Sequence, residues 1–175
     1  YWTSPDKIQK QAEFLDQYDG CSLCFHNVLV QDPSNQEKLR PCINRPMKDF
    51  YSFDDIVTDN IISTASVMFR AEHLRDLPHD LFLRMPMGDW FLWLHCAKKG
   101  RLGYINKIMA TYRIHSAGVW SNQSPIQHAV NQIKAREIVN RSFAVNDRNA
   151  KRHLAYWRQT AIELLIQQDQ ANAAI

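Results

Sequence analysis

Asp89 is the residue of this sequence whose surroundings are most typical of a chemical site. It lies in MPMGDWFLWLHCAKKG, residues 85–100, between a glycine and a tryptophan at the start of an apolar helical pattern. An aspartate there is a favoured helix N-cap, which is the structural interpretation. A carboxylate held rigidly at a helix start beside aromatic rings is also suited to act as a general base. The two roles are compatible, and the sequence leaves both open.

A second polar group follows in YRIHSAGVW, residues 112–120. Arg113 and His115 are two residues apart at the end of a strand pattern, so they share one face. Polar side chains at the carboxyl end of a strand often line a ligand site. Arginine can clamp an anion, and histidine can bind a metal or phosphate or transfer a proton. The alternative is a solvated sheet edge without chemistry.

Cysteines near the start of the chain have the spacing of half a zinc site. Cys21 and Cys24 in CSLCFHNVLV could be joined by His26 and Cys42 to make four ligands. No second paired motif accompanies them. The favoured interpretation is therefore a buried strand in which free cysteine acts as a small apolar residue, with His26 buried and hydrogen-bonded.

Three aspartates in FDDIVTDN, residues 53–60, resemble an acidic metal cluster. These are Asp54, Asp55 and Asp59. Acidic residues are favoured in the first turn of a helix, so we expect the cap and first turn of a short helix instead.

The elements that must hold these residues begin with an amphipathic helix. Ser4 is the expected cap and Pro5 the first helical residue, and Ile8, Ala12 and Leu15 recur at the spacing of one buried face. Asp19-Gly20 ends this helix. A long loop with three prolines is predicted between residues 31 and 50.

Three strands and several further helices are predicted. The strands are CSLCFHNVLV, NIISTASVMFR and LGYINKIMATYRIH, and alternation in the second gives Thr64, Ser66 and Met68 one face. AEHLRDL suggests a short helix, and the helix after Gly88 should end at Gly100. Two helices are expected after Pro125, broken near AVNDRN. Strands alternating with helices indicate the α/β class.

The amino-acid composition indicates a globular protein. Of the 175 residues, 45% are hydrophobic and 22% charged, which is typical of a globular domain. The net charge of +3 is too small to indicate nucleic-acid binding, and no apolar run has the ~20 residues of a membrane helix. Few, unpatterned cysteines favour a reducing cytoplasm. Because the first residue is Tyr1, we expect a piece of a longer protein.

Taken together, several segments resemble family 2 glycosyltransferases. YWTSPDKIQKQAEFL, FHNV, NIISTASVMFR and RMPMGDWFLWLHCAKKGRLGYINKIMATYRIHSAGVWS occur in the order and spacing of that family. The resemblance covers residues 1–122 and implies the acceptor-side half of a GT-A catalytic domain, a mixed sheet with flanking helices. Residues 123–175 would be a C-terminal helical extension. The nucleotide-binding half and its Asp-x-Asp-like metal motif are expected to be missing, which would leave this chain inactive alone.

The resemblance implies an activity and a role for each matching residue. The activity is transfer of a sugar from a nucleotide-diphosphate sugar to an acceptor hydroxyl with inversion, dependent on Mg²⁺ or Mn²⁺, in polysaccharide biosynthesis. Asp89 would be the general base, Arg113 would contact the diphosphate and His115 would complete the metal shell. The remaining substrate contacts would come from the Gly-Asp-Trp motif and the second strand, namely from Gly88, Trp90, Thr64 and Ser66.

Two other functions stay open. One is a non-catalytic interaction module on a glycosyltransferase-like scaffold, binding partners through the helix that carries Leu154 and Trp157. The other is a small zinc protein. The expected location is the cytoplasm, with peripheral membrane association as a variant, and a homo-oligomer is conceivable because a sheet cut within its domain would expose apolar surface.

Overall fold

The structure is a computed structural model that describes residues 1–32 and 39–173. The chain folds as two compact units. One comprises Tyr1–Pro78 and Asp89–Ser116, and the other comprises His79–Gly88 and Ala117–Ile175. The sequence suggested a boundary at residue 122, whereas residues 79–88 belong with the helical tail.

Six α-helices and five strands are present in the described residues. The helices are α1 (Lys7–Gln17), α2 (Phe53–Ile56), α3 (His79–Arg84), α4 (Gly88–Ala97), α5 (Pro125–Ser142) and α6 (Arg148–Ala173). The strands are β1 (Cys21–Gln31), β2 (Arg40–Pro41), β3 (Phe50–Tyr51), β4 (Met68–Phe69) and β5 (Arg101–Arg113). The expected α/β class is confirmed. Part of the predicted 31–50 loop, residues 33–38, lies outside the described residues, and the rest contains β2.

The sheet is mixed and open, with the order β2-β1-β5-β3 and β4 also paired to β1. β1 and β5 run parallel, and the three short strands pair antiparallel to them. Nearly every side chain of β1 is buried. Strands buried on both faces are expected to be continuously apolar, which explains the composition of CSLCFHNVLV. The first and third predicted strands are therefore confirmed.

The buried face of α1 differs from the prediction. Lys7, Gln11 and Leu15 are buried, whereas Ile8 is 52% exposed. Lys7 Nζ donates to Gln11 Oε1 at 2.6 Å, and Gln11 Nε2 donates to the carbonyl of Ser66 at 2.9 Å. Polar groups can be buried when they are hydrogen-bonded, so a polar pair displaced the apolar stripe from the interior.

The predicted start of α1 is also wrong. The helix begins at Lys7, two residues after Pro5, and the cap position is Asp6 rather than Ser4. Asp6 instead pairs with Lys10 one turn along the helix.

Residues 60–70 do not form the predicted strand. Thr64–Ser66 is a 3₁₀ turn, and only Met68–Phe69 extends along β1. Ser66 donates its hydroxyl to the carbonyl of Ser63 at 2.6 Å, a local bond that competes with strand pairing. Thr64 is exposed and Ser66 is fully buried, so the expected shared face is wrong. Residues 71–74 form a 3₁₀ turn where a short helix was predicted.

The second unit contains a pair of helices that confirms the two predicted after Pro125. Ser124 caps α5 by accepting the amide N–H of Gln127. Trp157 of α6 packs against His128 of α5, with ring centroids 5.4 Å apart. The helix predicted as a partner-binding element therefore uses Trp157 within its own unit. Among the described residues, no helix combines the length and apolar composition that membrane crossing requires.

Gly103 of β5 is a position where the sheet tolerates no side chain. A methyl group there would overlap the ring of Phe14, which also packs on Tyr18 with centroids 4.7 Å apart. We expect Gly103→Ala to lower the free energy of unfolding by about 1–3 kcal/mol through overpacking, measured by chemical denaturation. Gly20→Ala is the control, because its methyl group would lie 3.8 Å from Arg101 in ordinary contact. Equal effects of the two substitutions would contradict this account.

Candidate functional site

Asp89 lies in the first turn of α4 with its side chain half-buried. Oδ1 accepts the backbone N–H of Trp90 at 2.7 Å, and Oδ2 accepts the hydroxyl of Thr64 at 2.7 Å. Asn60 Nδ2 makes a longer contact of 3.4 Å with Oδ1. The helix begins one residue earlier, so Asp89 follows the cap position rather than occupying it. It still satisfies a free N–H of the first turn, as a cap would.

The backbone that carries Asp89 is anchored by Trp90. This residue is fully buried, and its indole N–H donates to the carbonyl of Ile56 at 2.8 Å. Phe91 and Leu94 are also fully buried, so most of α4 is apolar and enclosed. The start of the helix is therefore held by packing on one side and by hydrogen bonds to Asn60 and Thr64 on the other.

This arrangement leaves a carboxylate that can accept a further proton donor. All three donors on Asp89 are neutral groups, so they orient the carboxylate without forming an ion pair. Thr64 shows that a hydroxyl approaches Oδ2 at 2.7 Å, within the 2.6–3.2 Å reach expected of a general base. Thr64 itself is exposed, so this side of Asp89 faces accessible surface.

The other residues of the Gly-Asp-Trp and second-strand group have different surroundings. Trp90 and Ser66 are fully buried, so the substrate contacts that the resemblance implied for them would need the core to open. Their contacts support α4 and the 3₁₀ turn instead. Gly88 is the first residue of α4, and a methyl group on it would lie 3.3 Å from the ring of Phe82. Thr64 bonds Asp89 through its side chain, and Trp90 does so through its backbone N–H.

Arg113 and His115 lie at the carboxyl end of β5, as the sequence predicted. Arg113 is paired with Gln31 at the last position of the parallel ladder, and the chain then passes through Ile114, whose N–H donates to Gln31. Both side chains are exposed. Neither is among the donors to Asp89, so the structure does not join the two predicted groups by a direct bond.

Metal binding was expected at His115 and considered at the cysteines. Within the described residues, no three His, Cys, Asp or Glu side chains come together as a metal-binding group. Cys21 and Cys24 are buried in β1, and burial raises the pKa of Cys24 to about 12, which keeps it a thiol. The four residues of the zinc interpretation do not form such a group in the described structure, and the expected burial of Cys21 and Cys24 in a strand is confirmed. The dependence on Mg²⁺ or Mn²⁺ stays a prediction.

Two of the three aspartates of residues 53–60, Asp54 and Asp55, lie in the first turn of α2, as expected, whereas Asp59 follows the helix. Ser52 and Asp55 form a capping box at α2, and Asp55 also pairs with Lys48. Sequence reasoning missed Asn60, which contacts Asp89 from the loop after α2. Nothing in the pattern around Asn60 marks this role, because it depends on how the loop docks against α4.

No protein-family model matches the sequence. It is similar to a protein of Mycobacterium bovis and to proteins of two Mycobacterium tuberculosis strains, all three described as uncharacterized. Each is 33% identical over 123 residues, which is 69% of this chain and 34% of the relative. The chain thus spans about a third of the length of the curated relatives it matches.

His26, on β1, is a buried histidine with a structural role, as predicted. Its Nδ1 donates to the carbonyl of Asn27 at 2.7 Å, and within the described residues Nε2 has no partner. Burial lowers the pKa of His26 below the usual 6.5, and the charge of Lys7 acts in the same direction. The imidazole of His26 is therefore protonated less readily in the folded protein than in the unfolded chain.

We expect this difference to make stability depend on pH. The stabilisation from neutral His26 is complete above about pH 6.5 and is lost as the pH falls from there toward the lowered pKa. His26→Gln should therefore show a shallower fall in the free energy of unfolding between about pH 7.5 and 5, measured by urea denaturation. The exposed His115→Gln variant is the control and should keep the original slope. Identical slopes for both variants would contradict the prediction.

Proposed function

We propose that this chain is the acceptor-side half of an inverting glycosyltransferase in which Asp89 is the general base. The observation that carries the proposal is the carboxylate of Asp89, fixed by the Trp90 N–H and the Thr64 hydroxyl while its neighbourhood stays accessible. A base must be rigid and within hydrogen-bond reach of the proton that it removes. The resemblance to family 2 glycosyltransferases supports the same residue for the same role.

The proposed reaction is a single displacement. An oxygen of Asp89 accepts the proton of the acceptor hydroxyl, whose oxygen forms a bond to the anomeric carbon of the donor sugar. The bond from that carbon to the diphosphate breaks, and the nucleoside diphosphate leaves with the electron pair. Because attack comes from the opposite face, the anomeric configuration inverts. Thr64 keeps Oδ2 oriented, and Arg113 supplies positive charge for the leaving diphosphate.

The proposal applies to the whole protein of which this chain forms part of the catalytic domain. The relatives are about three times as long as the matched segment, so donor binding by residues outside it is compatible with their length. Within this chain the proposed roles belong to Asp89, Thr64 and Arg113, and dependence on Mg²⁺ or Mn²⁺ is proposed for the whole protein. Polysaccharide synthesis remains the proposed context.

Asp89→Asn in the full-length protein should abolish transfer while the fold is kept. The amide can still accept the Thr64 hydroxyl but cannot remove a proton, so we expect kcat to fall by roughly 10²–10⁴. Release of nucleoside diphosphate from UDP-glucose, UDP-galactose, GDP-mannose and TDP-rhamnose would measure it. Asp55→Asn is a matched control, because Asp55 also lies in the first turn of a helix and accepts a hydroxyl, yet has no proposed role in catalysis.

Normal turnover by Asp89→Asn would remove the base assignment. Absence of transfer by the unsubstituted full-length protein would instead favour the second candidate, a non-catalytic interaction module. That candidate is supported by Ile162, Leu165 and Ile166 of α6, which are about half exposed at the spacing of one helical face. Substitutions on this face, rather than at Asp89, would then impair the biological activity of the protein.

A further inference from the structure

A cavity in the sheet-containing unit has the features of a ligand site. It has a volume of about 410 Å³ and lies among β1, β5 and the segment 43–49 that precedes β3. Small-molecule sites commonly occupy ~300–1,000 Å³, so the space suits a small ligand. Neither Asp89, Arg113 nor His115 lines this cavity.

The cavity wall is built by specific hydrogen bonds. Asn27 of β1 clamps the backbone of Ile43, donating from Nδ2 to its carbonyl at 2.7 Å and accepting its N–H at 3.0 Å. At the other end, the Tyr51 hydroxyl accepts the N–H of Lys48 at 2.9 Å, and the Asp49 carbonyl accepts the N–H of Tyr104 at 2.8 Å. Segment 43–49 is thus fixed to the strands near both ends, which keeps the hollow open.

Tyr104 supplies the polar group that points to a ligand. Its side chain is only 8% exposed, and its ring packs on Phe25 with centroids 5.3 Å apart. Tyr104 is one of the residues that line the cavity. Burial raises the pKa of Tyr104, so the phenol stays protonated and can donate. A phenolic hydroxyl in a cavity wall can both donate a hydrogen bond to a ligand oxygen and accept one from a ligand hydroxyl.

The remaining polar lining indicates which ligand fits. Asn44, Arg45, Asp49 and Asn106 line the cavity, and within the described part of the chain none of their side chains is bonded to the protein. One guanidinium and one carboxylate leave the lining neutral overall, which disfavours a phosphate or diphosphate. Amides, a carboxylate and a guanidinium offer paired donors and acceptors that match adjacent hydroxyl groups.

We propose that this cavity binds a neutral sugar ring. The hydroxyl of Tyr104 donates to one sugar oxygen at the base of the hollow, while Asp49, Arg45 and the asparagines bond hydroxyls at the rim. The site is separate from the carboxyl end of β5. On β1, Phe25 pairs with Tyr104 and Gln31 pairs with Arg113. These two positions are six residues apart, which corresponds to about 20 Å along the strand between Tyr104 and Arg113. The inference rests on the cavity and does not require that Asp89 be a base.

Binding can be measured by NMR titration of the chain with D-glucose, D-galactose, D-mannose and N-acetyl-D-glucosamine. We expect at least one of these to bind with a Kd in the millimolar range, because a single ring makes few contacts. Tyr104→Phe removes only the phenolic oxygen and should weaken binding about five- to tenfold. Tyr112→Phe, at an exposed tyrosine on the same strand, is the matched control and should change nothing.

Three results would overturn the inference. The first is the absence of binding of all four sugars at concentrations up to roughly 100 mM, where millimolar affinity would be evident. The second is equal binding by the protein and its Tyr104→Phe variant, which would put the sugar elsewhere. The third is preferential binding of inorganic phosphate or UDP at this cavity, which would replace the neutral ligand with an anion.

Discussion

The parallel pairing of β1 and β5 is the constraint on which the sheet-containing unit depends. The two strands start side by side, where the N–H of Arg101 donates to the carbonyl of Gly20 at 2.9 Å. A methyl group on Gly100 would lie 2.8 Å from the same carbonyl, so the chain can leave α4 and enter β5 here only without a side chain. The end of α4 is thereby fixed to the start of the sheet. Ten residues, or ~15 Å, then separate this point from Asp89 at the other end of the helix.

Periodicity in the sequence predicted the long elements because burial of apolar residues determines them. The strands at Cys21–Gln31 and Arg101–Arg113, the Gly88 helix and both tail helices follow from such patterns. The buried face predicted for α1 was wrong because Lys7 and Gln11 are buried and hydrogen-bonded to each other. The pattern of apolar residues in the sequence does not reveal that bond. The strand predicted for residues 60–70 was wrong because the hydroxyl of Ser66 donates to the carbonyl of Ser63, which favours a turn over an extended strand.

The candidate site was predictable only where it lies on a predictable element. Asp89 follows from the helix start, and Arg113 from the end of a strand. Thr64 was included because of a strand that does not exist, yet the 3₁₀ turn brings its hydroxyl to Asp89. The cavity at Tyr104 had no signal in the sequence, because its wall depends on the Asn27 amide holding a distant segment. Contacts between loops and strands of different segments carry no period that a pattern could detect.

A comparison of two aspartates explains how a residue can stabilise a helix start and still be available for chemistry. Asp55 accepts the Ser52 N–H and hydroxyl and also binds the Lys48 ammonium, which holds the pKa of Asp55 below its usual range. Its negative charge is compensated by a neighbouring cation. Asp89 also lies in the first turn of a helix, but its donors are an amide N–H, a hydroxyl and a side-chain amide. Neutral donors fix the orientation of a carboxylate without a cation that would compete for an incoming proton. Among the described residues no ion pair is seen at Asp89, and this is what we expect of the general base that we propose.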